Sequence, residues 1–211
     1  MQRLLLIDTC GETAGVVLCL GPEVMAAEDL AAGEASAQII SAVRRLLQQT
    51  GWELAELDAV GVVAGPGSFT GVRAGMAAAK ALCEAASLRL AVVSRLAVLA
   101  DAAGLTDGLA VLDAGRGEVY VRDAITGLEW VCAYDSLPVV SVAVAERRVA
   151  ERLVAREPVL HPLHTRDALP VVLQCLAAGG SDVVLAEANY VRGEQNIYGT
   201  AAAASAEKRE P

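Results

Sequence analysis

VGVVAGPGSFTGVRAGMAAAKALCEAA, residues 60–86, is a complete α/β unit written in one line. Val60 to Ala64 has the length and β-branched content of a buried strand. Three glycines and a proline in Gly65-Pro66-Gly67-Ser68-Phe69-Thr70-Gly71 interrupt regular structure. Alanine-rich residues 72–87 then predict a helix, with Ser68 or Thr70 placed to cap its N-terminus.

That helix has a thin polar edge, Arg73, Lys80, Glu84 and Ser87, and is otherwise Val, Met, Leu, Cys, Ala or Gly. Its own sheet can cover only one side. A second helix of the same chain or a partner protein must cover another, and composition leaves both open. The glycine loop is likewise open to two readings. Backbone N–H groups at a helix start attract phosphate, yet Val72-Arg73 follows Gly71 where a P-loop needs Lys-Ser or Lys-Thr, and the G-x-G-x-x-G spacing is absent. A tight structural connection is the other reading.

Apolar residues make up 55% of the 211 and charged residues 20%, enough for a sizeable core and against disorder. Aromatics are 3%, so the core is aliphatic. No run of about 18 apolar residues predicts a membrane span, and Met-Gln-Arg before Leu4 is too short for a signal peptide. Five scattered cysteines without a C-x-x-C pair read as free thiols of a reducing cytoplasm. The net charge of −9 opposes an unaided grip on nucleic acid.

Working outward, residues 3–8, 14–20 and 23–31 predict strands and residues 33–50 a helix stopped by Gly51. A further strand, 89–93, leads to a helix capped by Ser94 and running to about 103; strands follow at 108–114, 118–124 and 128–133. Residues 142–155 predict a helix, as do 165–178 if it starts near Leu169 so that Pro170 sits in its first turn. Asp113 and Arg116 either pair across their turn or line a cleft. His161 and His164 flank Pro162-Leu163, a loop spacing without the companions of a metal site. No Ser-His-Asp constellation is marked.

The segment GPGSFTGVRAG resembles the TsaB (YeaZ) family, whose members serve in the synthesis of threonylcarbamoyladenosine in tRNA. Leu6-Ile7-Asp8-Thr9-Cys10 is similar to that family's IDTS, Val93-Ser94-Arg95-Leu96 to its VSSL, 112–120 to its DARxGEVY, and Asn189-Tyr190-Val191-Arg192 to its closing YLR or YVR. The resemblance implies an α/β actin-like ATPase (ASKHA, ribonuclease H-like) fold of two lobes of mixed sheet, 1–104 and 105–199, before a low-complexity tail, 200–211. In active members of that fold a strand-ending carboxylate such as Asp8 organises metal and phosphate; here Asp8 with Thr9 is a weak nucleotide candidate, or merely a turn cap.

By the same resemblance, the loop residues Gly65, Gly67, Ser68, Thr70, Gly71 and Arg73 are structural. The helices containing Ile39, Val43, Leu46 and Val72, Met76, Ala79, Lys80, Cys83 form the face that docks a TsaD-like catalytic paralogue, and through it a TsaE-like ATPase. Such an interface hides roughly 800 Å² per partner. The isolated chain is expected to form a homodimer through that face, with tRNA reached only through the complex. TsaD looks like V-N-H-x-x-x-H, two metal-binding histidines, where this chain has Arg95 and Leu99. The family's usual His-Ser near the first helix is Ala35-Ser36. The resemblance therefore implies a scaffold with neither catalytic residues, metal nor obligatory cofactor. An actin-like kinase or a glycoprotease-like metallopeptidase are the alternatives.

Overall fold

The computed structural model describes residues 1–31 and 34–191, leaving Gly33, Arg192 and the 200–211 tail outside. Two five-stranded sheets make the frame. The first comprises β1 (Arg3–Asp8), β2 (Ala14–Leu20), β3 (Glu23–Leu30), then, after helix α1 (Ala35–Thr50), β4 (Ala59–Val63), and after α2 (Phe69–Ala86), β5 (Arg89–Val93). Its order is β3-β2-β1-β4-β5. β2 pairs antiparallel with β1 on one side and β3 on the other, whereas β1, β4 and β5 run parallel.

After α3 (Arg95–Ala102), the second sheet has β6 (Leu109–Gly115), β7 (Glu118–Asp123), β8 (Glu129–Ala133), β9 (Val142–Val144) and, past helix α4 (Arg147–Arg152), β10 (Val159–Leu160). Its order, β10-β9-β6-β7-β8, repeats the first plan, with the same antiparallel meander and the same parallel extension. The chain is one design used twice.

Every residue of β4 is buried, as is Leu4 to Asp8 of β1, because helices cover both faces of the central strands. α1 and α2 lie together on one face; α5 (Leu169–Ala177) packs on β5 and β4 from the other. Gly61 of β4 is needed there: a Cβ would sit 2.6 Å from Val172 of α5. The terminal helices are exchanged, since α3 packs on β6 and β7 while α5 packs on the first sheet. A cut between residues 104 and 105 therefore separates sheets but not their cores.

Several expectations need correcting. The long helix begins at Phe69, three residues early, because Ser68 is its cap: Gly71 N–H donates to Ser68 Oγ at 3.3 Å. Thr70 and Gly71 are thus helical. Residues 142–155 are not one helix. Val142-Ala143-Val144 is fully buried and pairs in parallel with β6, leaving six helical residues beyond it. β10 carried no clear sequence signal. Gly51 does stop α1 in the left-handed conformation, and Pro170 does fall in the first turn of α5.

Candidate functional site

The candidate site is built around the C-terminal end of β1. Asp8 is buried there, its Oδ1 accepting the Cys10 N–H at 2.8 Å. Burial pushes its carboxyl above the usual range, partly opposed by the charge of Arg95. Thr9 donates from Oγ1 to the Gly71 carbonyl at 2.6 Å, and Ser68 N–H donates to the Cys10 carbonyl at 2.8 Å. A Cβ on Gly71 would overlap the Thr9 carbonyl oxygen, and one on Gly67 the Cys10 carbonyl oxygen. The glycines of the 65–71 loop let backbone lie on backbone. They let the loop lie directly on the turn after β1.

Arg95, at the first position of α3, is 6% exposed. Its backbone N–H donates to the Gly65 carbonyl at 2.7 Å, and its guanidinium lies against Gly11. Nη1 pairs with Glu146 Oε1, in the turn after β9, at 3.1 Å. Glu146 also accepts the Asp113 N–H at 3.4 Å. A buried ion pair thus joins the lobes at the base of the cleft. Leu99, one turn along, is fully buried. Asp113 pairs with Arg148 at 3.1 Å and accepts from Tyr134 OH at 3.4 Å, so the expected partnership with Arg116 is replaced. Asn189 ties the lobes a second time: its N–H donates to the Ala64 carbonyl at 2.7 Å and its Nδ2 to Glu129 Oε2 at 2.7 Å.

The proposed docking residues fall otherwise than expected. Ile39, Val43, Leu46, Val72, Met76, Ala79 and Cys83 are each 6% exposed or less and face the first sheet. They are core, because the most apolar stripe of each helix is claimed by its own sheet. Lys80 is half-buried, its Nζ donating to the Val184 carbonyl at 3.2 Å. What α1 and α2 show outward is Ile40, 49% exposed, with Arg44, Ala77 and Ala81. A groove of about 540 Å³ runs between Ile40, Leu47, Trp52, Leu54 and Leu82.

His164 is exposed and His161 half-buried, in the loop after β10. Among the described residues no three His, Cys, Asp or Glu side chains are grouped so as to hold a metal ion. No helix among them is long and apolar enough to cross a membrane.

A duplicated five-strand plan with exchanged helices and a carboxylate ending its first strand defines an actin-like, ribonuclease H-like α/β protein. A family model described as "TsaD: tRNA N6-adenosine threonylcarbamoyltransferase" matches residues 28–135. The chain is 38% identical over 123 residues to the tRNA threonylcarbamoyladenosine biosynthesis protein TsaB of Escherichia coli (strain K12), covering 56% of this chain and 53% of that one. It is 34% identical over 130 residues to the tRNA N6-adenosine threonylcarbamoyltransferase of Methylorubrum extorquens (strain PA1), covering 52% and 38%. A crystal structure from Pseudomonas aeruginosa, of a protein with similarity to peptidase YEAZ, superposes with a TM-score of 0.76 at 26% identity, over 91% of this chain and all of that one. The chain belongs to the family of that model and, within it, to TsaB (YeaZ). It spans about half the length of the curated relatives it matches.

Proposed function

We propose that this chain is a non-catalytic subunit in the synthesis of threonylcarbamoyladenosine in tRNA. It docks a TsaD-like catalytic paralogue and, through that subunit, a TsaE-like ATPase, in the cytoplasm. One observation carries the reading: the positions that resemble the paralogue's metal-binding histidines hold Arg95, already neutralised by Glu146, and Leu99, sealed in the core. A guanidinium with a buried carboxylate partner has no lone pair to offer a metal.

The surface it lends is the outer side of α1 and α2, centred on Ile40, Ala77, Ala81 and Leu82 rather than on Met76 and Cys83. Alanines let a facing helix approach closely, and the groove beside Ile40 accepts its larger side chains. In the absence of the paralogue, a second copy covers the same face. tRNA is engaged only through the complex, consistent with the charge of −9. The reading is tested by Ala77→Glu and Ala81→Arg, which leave the core intact. Each should abolish co-elution with the paralogue and convert the homodimer to monomer in sedimentation. Full binding by both variants would refute this surface.

A further inference from the structure

The chain contains one Phe, four Tyr and two Trp. Three of these seven rings, Phe69, Tyr120 and Tyr190, line a single pocket of about 340 Å³ that also touches Pro66, Val72 and Asn189. Its walls come from the 65–71 loop, from β7 of the second lobe and from the segment after α5, and it is separate from the α1–α2 groove. Its volume lies at the low end of small-ligand sites, about 300–1,000 Å³. In a chain so poor in aromatics, two large rings at its mouth stay exposed, Phe69 at 53% and Tyr190 at 45%.

A cation lies beside the pocket, held against two of its lining rings. Arg73 lies 3.8 Å from the centre of the Phe69 ring, and its Nε donates to Tyr190 OH at 3.1 Å. Among the described residues no carboxylate pairs with it, so its outer N–H groups remain donors. Asn189 spends Nδ2 on Glu129 and keeps Oδ1 as an acceptor among those residues. Flat apolar walls, an amide oxygen and one planar cation suit a ring that stacks, presents an amine edge and trails an anion.

We propose that this aromatic pocket binds a purine mononucleotide, base against Phe69 and Tyr120 and phosphate at Arg73. This places the nucleotide away from the Asp8–Thr9 turn, over which the glycine loop lies. A free mononucleotide fits better than a base of tRNA, because the one cation beside the pocket among the described residues matches a single phosphate group and the net charge of −9 repels a polyanion. The pocket lies away from the α1–α2 groove and does not depend on the chain's role toward a paralogue.

Titration of the full chain with AMP, adenosine and inorganic phosphate, followed by calorimetry and saturation-transfer NMR, tests it. AMP should saturate one site, and Phe69→Ala should weaken it at least about tenfold, the scale of one lost base–aromatic stack. Arg73→Gln should reduce AMP affinity to that of adenosine while leaving adenosine unchanged. Tyr190→Phe, which removes only the hydroxyl that tethers Arg73, should act in the same direction more weakly. No saturation by AMP, or equal AMP affinity in all three variants, overturns the proposal. So does saturable binding of a tRNA anticodon stem-loop that AMP fails to displace.

Discussion

Replacing Arg95 by Met removes the cation that joins the lobes while keeping most of the side-chain volume. The Arg95 and Glu146 side chains are 7% and 8% exposed, so solvent screens the pair little. Removing one member of a buried pair leaves the other charge uncompensated, at a cost of about 3–5 kcal/mol. Asp8, already penalised by burial and relieved in part by Arg95, adds to the loss. For a domain of this size each kcal/mol moves Tm by about 2–4 °C, so Arg95→Met should melt roughly 6–20 °C early. Circular dichroism in heat and in urea measures it directly. Adding Glu146→Leu should recover part of the stability, and the cycle of single and double variants should show coupling on the order of 1–3 kcal/mol. A Tm within about 2 °C of the parent, or additive single effects, would refute an interlobe clamp.

Asp8→Asn keeps an oxygen to accept the Cys10 N–H but cannot ionise. Because burial raises the folded-state pKa of Asp8 above the ordinary 3.8, its contribution to stability is complete below that value and is lost as pH rises through the folded-state pKa. Parent stability relative to Asp8→Asn should therefore fall from pH 3 toward neutrality in urea titrations; a rise would invert the assignment. Cys10, Cys19 and Cys83 are buried, with the thiols of Cys19 and Cys83 pushed up to about 11. Native protein should accordingly give a thiol reagent no fast reaction beyond Cys132 and Cys175, which are half-buried, and all five only when unfolded. Ser87 ends α2 at φ 53°, a left-handed conformation that favours glycine, and Ser87→Gly should stabilise by about 1 kcal/mol in thermal melts.

The 60–86 unit was legible because its signals are local: a β-branched run, glycines at a close crossing, and alanine. Cap, loop and helix follow within a few residues of one another. Residues 142–155 misled for the same reason. Ala and Arg content there favours a helix, while the pairing that makes Val142–Val144 a strand comes from β6, more than thirty residues earlier. Which face of α2 turns outward was equally hidden, since alanine is indifferent to burial and Ala77 and Ala79 differ only in what the fold puts above them. Arg95 was readable as a departure from a histidine motif, but its partner lies 51 residues away with no pattern linking them. Asn189, which holds both lobes, carries no sequence signal beyond its place before the closing Tyr190-Val191-Arg192 motif. Clustering of Phe69, Tyr120 and Tyr190 needs the exchange of chain between lobes and cannot be read along the sequence.

The central claim is that this chain supplies a surface and not a reaction. The most direct measurement is threonylcarbamoyladenosine formation in tRNA by the purified chain alone, by the TsaD-like paralogue with its ATPase, and by all three together. No product from the chain alone, with formation by the other two dependent on its addition, is the predicted result. Modified tRNA produced by this chain with no other protein present would contradict it.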